Sequence, residues 1–408
     1  MFWRRPLPPF TSFRAFITKM ATGDLEGNRE QAGEPTSQPL AIRTTDSKPE
    51  TTTTTSQDGS APFDIVETYK NLLLSDPDIS MPVAAIEALI ALLGSTPATT
   101  AMETVSVVRS QAERLRRAVP NPIPLTAGTD LFQQYLLRSL KGQTTGGPAG
   151  TAAPPPSFDA TRQHLLRNSR LFAARAKAAR DAIADRGSGY VLDGSVVLAA
   201  GSSRTVAALL LRAADRHTAR WGSPRFRVVH VLDDGKNDDH GTTTNRGGVA
   251  AVSALRARGV PTATIGPEAA AHVLSAARVD MVFVGTEVVV QNGGLLSRMG
   301  TFQLATLCRA AGTPFYVAAE THKIVRLYPL SQADLPRCGV QQDILDFRTD
   351  DDGERVEAGG KGEAGGRTEL PGQVPVDYTP PGLISAIITE QGVKNPAAVY
   401  DMLLDIYT

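Results

Sequence analysis

Two short polar stretches of this chain hold residue types that bind anions or move protons. Residues 201–205 read GSSRT and stand between an apolar run, 196–200, and a helical pattern, 203–219. Glycine lets a ligand approach the backbone, the first N–H groups of a helix favour an anion, and Arg204 can pair with phosphate. Ser203 and Thr205 add hydroxyls. The second stretch follows the apolar run 281–284 and carries Glu287, Ser297 and Arg298, with Lys323 beyond a further apolar run, 314–318. In open parallel sheets, ligands sit outside the carboxyl ends of strands. Arg204, Arg298 and Lys323 would then converge on one crevice, suited to a sugar phosphate or a nucleotide monophosphate. Glu287 there is either an acid–base group or an acceptor for ligand hydroxyls. The alternative for the GSSRT turn is an ordinary helix cap. It lacks the three-glycine pattern of dinucleotide binding, which argues against a nicotinamide enzyme.

The elements that must position these residues are legible as alternating strands and helices. Residues 281–284 have the content of a strand buried on both faces, and 314–318 form a second. Between them Thr301 can cap a helix striped by Leu304 and Leu307 and closed by Gly312. Upstream, strands are predicted at 196–200, 226–232 and 262–265, with helices at 203–219, 247–258 and 267–277. This alternation calls for a parallel sheet covered on both faces, a Rossmann-like α/β domain over 187–408. The 233–246 segment, with Asp238, Asp239 and His240, replaces a tight turn; no matching ligand pair is suitably spaced, so it reads as a polar loop and not a metal site.

Before residue 187 the period is helical. Ile65, Tyr69, Leu72 and Leu73 share one face, 83–93 is apolar nearly all round, and 102–118 ends in Arg114, Arg116 and Arg117. A Pro-rich turn at 120–124 precedes a helix starting near Thr129 or Asp130; a long helix covers 158–186. Residues 61–186 are therefore a helical domain, with a Gly- and Pro-rich insertion at 142–157. Residues 1–60 form a tail too poor in apolar side chains to fold, and 349–373 is a comparable insertion. Within the tail, 1–20 is basic with no acidic residue. It reads as a mitochondrial presequence or as upstream of a true initiator at Met20; we adopt Met20. At the C-terminus Thr379–Pro380 and Asn395–Pro396 are cap-plus-proline helix starts. The final helix places Val399, Leu403 and Ile406 on one stripe that must dock on its own sheet or a partner.

Bulk properties narrow the classes. Lys plus Arg and Asp plus Glu are equal at 42 each in 408 residues, which gives no basis for bulk binding to nucleic acid or an anionic membrane. The only cysteines, Cys308 and Cys338, make no disulfide framework and fit a reducing compartment. No apolar run reaches the roughly 20 residues needed to span a bilayer. A cytosolic protein without cofactor or metal is expected.

The stretch VGTEVVVQNGGLLSRMGTFQLATLCRAAGTPFYVAAETHKIVRLYPL resembles the regulatory subunits of eukaryotic translation initiation factor 2B. The ending VDYTPPGLISAIITEQGV and the opening ETYKNLLLSDPDISMPVAAIEALIALL resemble the alpha branch of that family. The resemblance covers about 61–345 and 374–408, and the NGG…GT…PFYV combination is shared with methylthioribose-phosphate and ribose-bisphosphate isomerases. Those isomerases use a cysteine and an aspartate where this chain has Gly201 and Glu287. Their Asn-Lys pair is Ser297-Arg298 here, and their acidic-Ser-x-Pro loop is replaced by the 233–246 insertion. The resemblance therefore implies the non-catalytic branch, because the missing thiol removes half of the proton-transfer pair. It implies a retained pocket of Ser203, Arg204, Thr205, Glu287, Ser297, Arg298 and Lys323, closed by Gly128 and Arg175. It also implies a homodimer that joins beta, gamma, delta and epsilon subunits in a nucleotide-exchange complex for initiation factor 2. Such a subunit mediates inhibition when that factor's alpha subunit is phosphorylated. Phosphoserine could dock on Arg114, Arg116 and Arg117, or those arginines simply complete a helix dipole. A ribose-phosphate-type isomerase is the alternative.

Overall fold

The computed structural model describes residues 63–76, 79–95, 100–119, 121–141, 158–232, 246–276, 278–342, 344 and 375–407. The expected tail, the insertions at 142–157 and 349–373 and nearly all of the 233–246 loop lie outside those residues.

Helix α1 (Ile65–Ser75) starts at Asp64, whose carboxylate accepts from the Val66 and Glu67 amides at 2.8 and 3.4 Å. Helix α2 (Met81–Ser95) is apolar around most of its circumference and correspondingly buried, with Val83, Ile86, Leu89, Leu92 and Leu93 inside. Thr100 caps α3 (Ala101–Ala118) through the Glu103 amide. Helix α4 (Ile123–Lys141) begins well before the expected Thr129 or Asp130. The reason is local: Asn121 accepts from the Ile123 amide at 3.2 Å, and Pro124 in a first turn forfeits no intrahelical bond. The long α5 (Phe158–Gly187) then leads into the sheet.

The next part of the chain runs β1 (Val196–Ala200), α6 (Arg204–Trp221), β2 (Arg227–Val231), α7 (Arg246–Ala257), β3 (Thr262–Ile265), α8 (Ala270–Ala276) and β4 (Met281–Gly285). A single 3-10 turn, Pro267–Ala269, precedes α8. The polar stretch after β4 forms a hairpin, β5 (Val288–Val290) and β6 (Leu295–Arg298), turning at Asn292–Gly293. Asn-Gly between apolar runs is a hairpin signal, and here Gly293 has φ +82. There follow α9 (Thr301–Ala311), β7 (Phe315–Ala318), β8 (Ile324–Val325), β9 (Val376–Thr379), β10 (Ala386–Thr389), β11 (Gly392–Lys394) and α10 (Val399–Tyr407).

Two sheets result. The larger has the order β11-β10-β7-β4-β1-β2-β3, parallel throughout except for the β10–β11 pair. The smaller has the order β8-β5-β6-β9. The C-terminal strands were not expected. Thr379 is no helix cap: it is fully buried in β9 opposite Leu295, and only a short 3-10 turn, Pro381–Leu383, follows Pro380. Thr301 is likewise the first residue of α9 and not its cap; its hydroxyl donates to the Arg298 carbonyl. Asn395 does cap as expected, accepting from the Ala397 amide ahead of α10. Val399 and Leu403 of α10 are buried in the chain's own core, so this stripe docks at home; the side chain of Ile406 is outside the described set.

One hydrophobic cluster runs from α1, α2, α3 and α4 into one face of the larger sheet and on to α10. A second joins α5 and α6 to the opposite face. A third places Ile123 and Ala127 of α4 against Val288, Leu296 and Val325 of the smaller sheet. The helical and sheet regions are thus packed together through shared core.

Candidate functional site

The order of the larger sheet puts a switch point between β1 and β4: the chain leaves β1 towards β2 on one side and returns to β4 on the other. Crevices at such points lie outside the carboxyl ends of the strands. The turn after β1 and the turn after β4 approach closely there. A Cβ at Gly285 would lie 2.2 Å from the Ser203 hydroxyl oxygen, so only glycine fits against that turn. Ser203 caps α6, its hydroxyl accepting from the Val206 amide at 3.3 Å.

Around this crevice the polar side chains are already engaged. Arg204 donates to the Ile79 carbonyl at 3.0 Å, reaching from α6 to the start of α2. Thr205 donates to Glu320 at 2.8 Å, and Lys323 sits 2.9 Å from the other Glu320 oxygen while donating to the Thr286 carbonyl at 3.2 Å. Glu320 is 2% exposed. Burial works against its charge, but Lys323, His322 and the hydrogen bonds from Lys323 and Thr205 prevail and hold the carboxyl far below its usual range. Ser297 is turned inward and donates to the Thr286 hydroxyl at 2.9 Å.

Glu287 accepts a hydrogen bond from the Asn121 side-chain amide, a contact between the second turn and the start of α4. Burial raises its carboxyl above the ordinary value, while Asn121, Arg298 and Lys323 pull the other way. His322 lies 3.3 Å from the Ser80 hydroxyl. Burial pushes its imidazole down to about 4, Glu320 opposes this, and Lys323 and Arg180 add to it. Arg298 is exposed at the margin.

The crevice thus brings together Ser203, Arg204, Thr205, Glu287, Ser297, Arg298 and Lys323. Gly128 and Arg175 lie in the helical layer, on α4 and α5. A Cβ at Gly128 would fall 2.2 Å from the Pro82 carbonyl oxygen, so it lets α4 cross α2. Arg175, on α5, lies within electrostatic reach of Tyr135 on α4, and burial lowers its guanidinium pKa. Sequence reasoning missed Glu320 and His322, although they follow β7 by the same strand-end rule that found Lys323. It also missed Asn121, which sits in a Pro-rich turn with no signal beyond its capping ability.

A second polar feature lies on α3. Ser110, Glu113, Arg114, Arg117 and Ala118 line an open depression of about 370 Å³. Arg114 pairs with Asp64 at 3.1 Å, Arg116 with Asp130 at 3.6 Å and Arg117 with Glu113 at 3.5 Å. Among the described residues no helix is long and apolar enough to cross a membrane.

Comparison with known proteins sets this geometry in a family. Residues 75–396 match the model of the Initiation factor 2 subunit family. The chain belongs to that family. It is 27% identical over 349 residues to "Translation initiation factor eIF2B subunit alpha" of Dictyostelium discoideum, covering 84% of this chain and 96% of that one. The Caenorhabditis elegans protein of the same name is 25% identical over 343 residues, covering 84% and 98%. A methylthioribose-1-phosphate isomerase of Exiguobacterium sibiricum is 35% identical, but over 144 residues, about a third of either chain. Among solved structures, eIF2B beta from Chaetomium thermophilum superposes with a TM-score of 0.56 at 18% identity, over 85% of this chain and 92% of that one. The tetrameric eIF2B-beta2-delta2 complex from the same organism gives 0.58 at 19%, over 84% and 93%. These likenesses show that the family fold extends across both the helical layer and the sheets.

Proposed function

We propose that this chain is a regulatory, alpha-type subunit of translation initiation factor 2B, without catalytic activity of its own. The observation that carries the reading is coverage: the match to the eIF2B alpha relatives spans 96% and 98% of their length, whereas the isomerase match is confined to about a third. Gly201 supports it, since the position where the isomerases carry a thiol has no side chain. In this reading the chain forms a homodimer and joins beta, gamma, delta and epsilon subunits in the cytosol. The complex acts on initiation factor 2 and is inhibited by its phosphorylated alpha subunit; the exchange chemistry lies in another subunit. No nucleic acid or membrane contact is invoked.

The crevice is then a binding pocket for a sugar phosphate or a nucleotide monophosphate, and no cofactor is required. The start of α6 and Arg204 would take the phosphate. Glu287, Ser297 and Lys323 would meet hydroxyls, with Arg298 at the rim. A phosphoserine would dock on Arg114, Arg116 and Arg117 of α3, in competition with Asp64, Asp130 and Glu113.

Sedimentation of the purified chain, alone and with the other subunits, tests the assembly reading. A dimer that converts the remaining subunits into one larger species is expected. A monomer that ignores them, and that isomerises a ribose phosphate, would return the chain to its isomerase relatives. For the pocket, Arg204→Ala should weaken a phosphorylated ligand by about 2 kcal/mol in calorimetry, the range for a charge-assisted hydrogen bond.

A further inference from the structure

The crevice and the helical layer are joined by a specific set of contacts. Arg204, Glu287 and His322 stand after three neighbouring strands, β1, β4 and β7 respectively. Their partners are two places in the helical layer: Ile79 and Ser80 just before α2, and Asn121 just before α4. Ile79 and Ser80 are each 6% exposed, so these are interior contacts. Two of the three, Arg204 and Glu287, are side chains assigned above to the ligand, and both are engaged by the helical layer. Glu287 in particular is in direct contact with Asn121, leaving no space for a ligand hydroxyl along that line.

We propose that these contacts form a latch over the pocket: residues 79–80 and 121–122 must lift from the strand ends together before a phosphorylated ligand can enter. The inference rests on the pocket reading above and adds its regulation. The motion is local, because α4 itself is held by the core formed from Ile123, Ala127, Val288 and Val325. Linkage then follows. A ligand that binds only the lifted state shifts the population towards it, and whatever clamps the starts of α2 and α4 weakens the ligand by the same factor. A partner seated on the helical layer would therefore sense occupancy of a crevice it never touches.

The test uses the full chain and two variants that leave the proposed ligand-binding side chains intact. Asn121→Ser keeps a hydroxyl that can accept from the Ile123 amide but is too short to reach Glu287. Ser80→Ala removes the partner of His322. The first measurement is amide hydrogen exchange without ligand. If the latch is one unit, Asn121→Ser speeds exchange at residues 79–86 as well as at 121–128, and Ser80→Ala does the same in reverse. Loosening confined to the mutated loop would mean separate local bonds and would overturn the proposal.

The second measurement is calorimetry with ribose 5-phosphate as probe. Binding to Asn121→Ser about tenfold tighter than to the wild type is expected, since one contact is already broken. Equal or weaker binding to the variant would reject the latch while leaving the pocket in place. Failure of the probe to bind either protein would instead overturn the pocket for this ligand class, and the latch with it.

Discussion

Asp377 of β9 accepts hydrogen bonds from the Gly300 and Phe302 amides at 2.7 and 3.1 Å, so a strand 77 residues downstream of Gly300 caps helix α9. The Gly300 backbone, at φ +96, makes the sharp entry that presents both amides to one carboxylate. This contact fixes β9 of the smaller sheet to the start of α9, directly after the strand that carries Ser297 and Arg298. Asp377→Ala should lower stability by about 1–2 kcal/mol, the usual loss for a helix cap. Asp377→Asn, which keeps an acceptor oxygen, should lose less. Urea denaturation of the two variants checks the order.

Gly128 can be assigned by its effect on stability. A Cβ there would meet the backbone of Pro82 and not a flexible side chain, so α2 and α4 must move apart. Gly128→Ala is expected to destabilise the chain by about 1–3 kcal/mol, in the range for overpacking. Parting α2 from α4 also loosens residues 79–80, so calorimetry should show ribose 5-phosphate binding the folded variant no more weakly than the wild type. A variant of normal stability and weakened binding would place Gly128 in the pocket wall instead.

The strands and helices from 196 to 285 were legible because each carries its own period: VVLAA is a buried strand by content, and Leu209, Leu210, Ala213 and Ala214 repeat at helical spacing along α6. The smaller sheet was not. Its strands are two to four residues long, too short for alternation to register, and they pair across gaps such as Ser297 with Asp377. Thr379 illustrates the conflict: Thr-Pro looks like a helix start, but pairing with Leu295 in the interior outweighs a local cap. The candidate site divides the same way. Ser203, Arg204, Thr205, Glu287 and Lys323 follow from strand ends, a local rule. Asn121 and Ser80 come from the helical layer, and only the packing of α2 and α4 on the sheets brings them to the crevice.

His322 provides a pH test. Its folded pKa of about 4 lies below the ordinary value of 6.5, chiefly through burial. As pH falls from about 6.5 to 4 the unfolded chain takes up a proton that the folded chain refuses, so stability present above that window is lost within it. The loss is up to about 3 kcal/mol. Asp377 works in the opposite sense: burial raises its carboxyl to about 6, so folding gains stability as pH falls from 6 towards 4. The two partly cancel in the wild type, and the informative quantity is a difference. His322→Gln should lose less stability than the wild type between pH 7 and pH 4 in urea titrations. Parallel curves would show that His322 does not contribute to the pH dependence.

Gly201→Cys asks whether the isomerase alternative is one side chain away. Gly201 has φ +75, and the turn is held on both sides: its amide donates to the Val231 carbonyl at 3.3 Å, and its carbonyl lies 2.8 Å from His230 Nε2. A cysteine in that left-handed conformation is strained by roughly 1–2 kcal/mol whatever the space around it. The thiol would also lack a free partner, because Glu287, at the position of the relatives' aspartate, is bound by Asn121. Isomerisation by proton transfer needs an acid and a base both within reach of the reacting substrate atoms at once. The variant should therefore fold with slightly reduced stability and leave methylthioribose 1-phosphate unconverted, as followed by NMR. Measurable conversion by Gly201→Cys would mean that the crevice retains a competent isomerase geometry and that the loss of one thiol separates this chain from its enzymatic relatives.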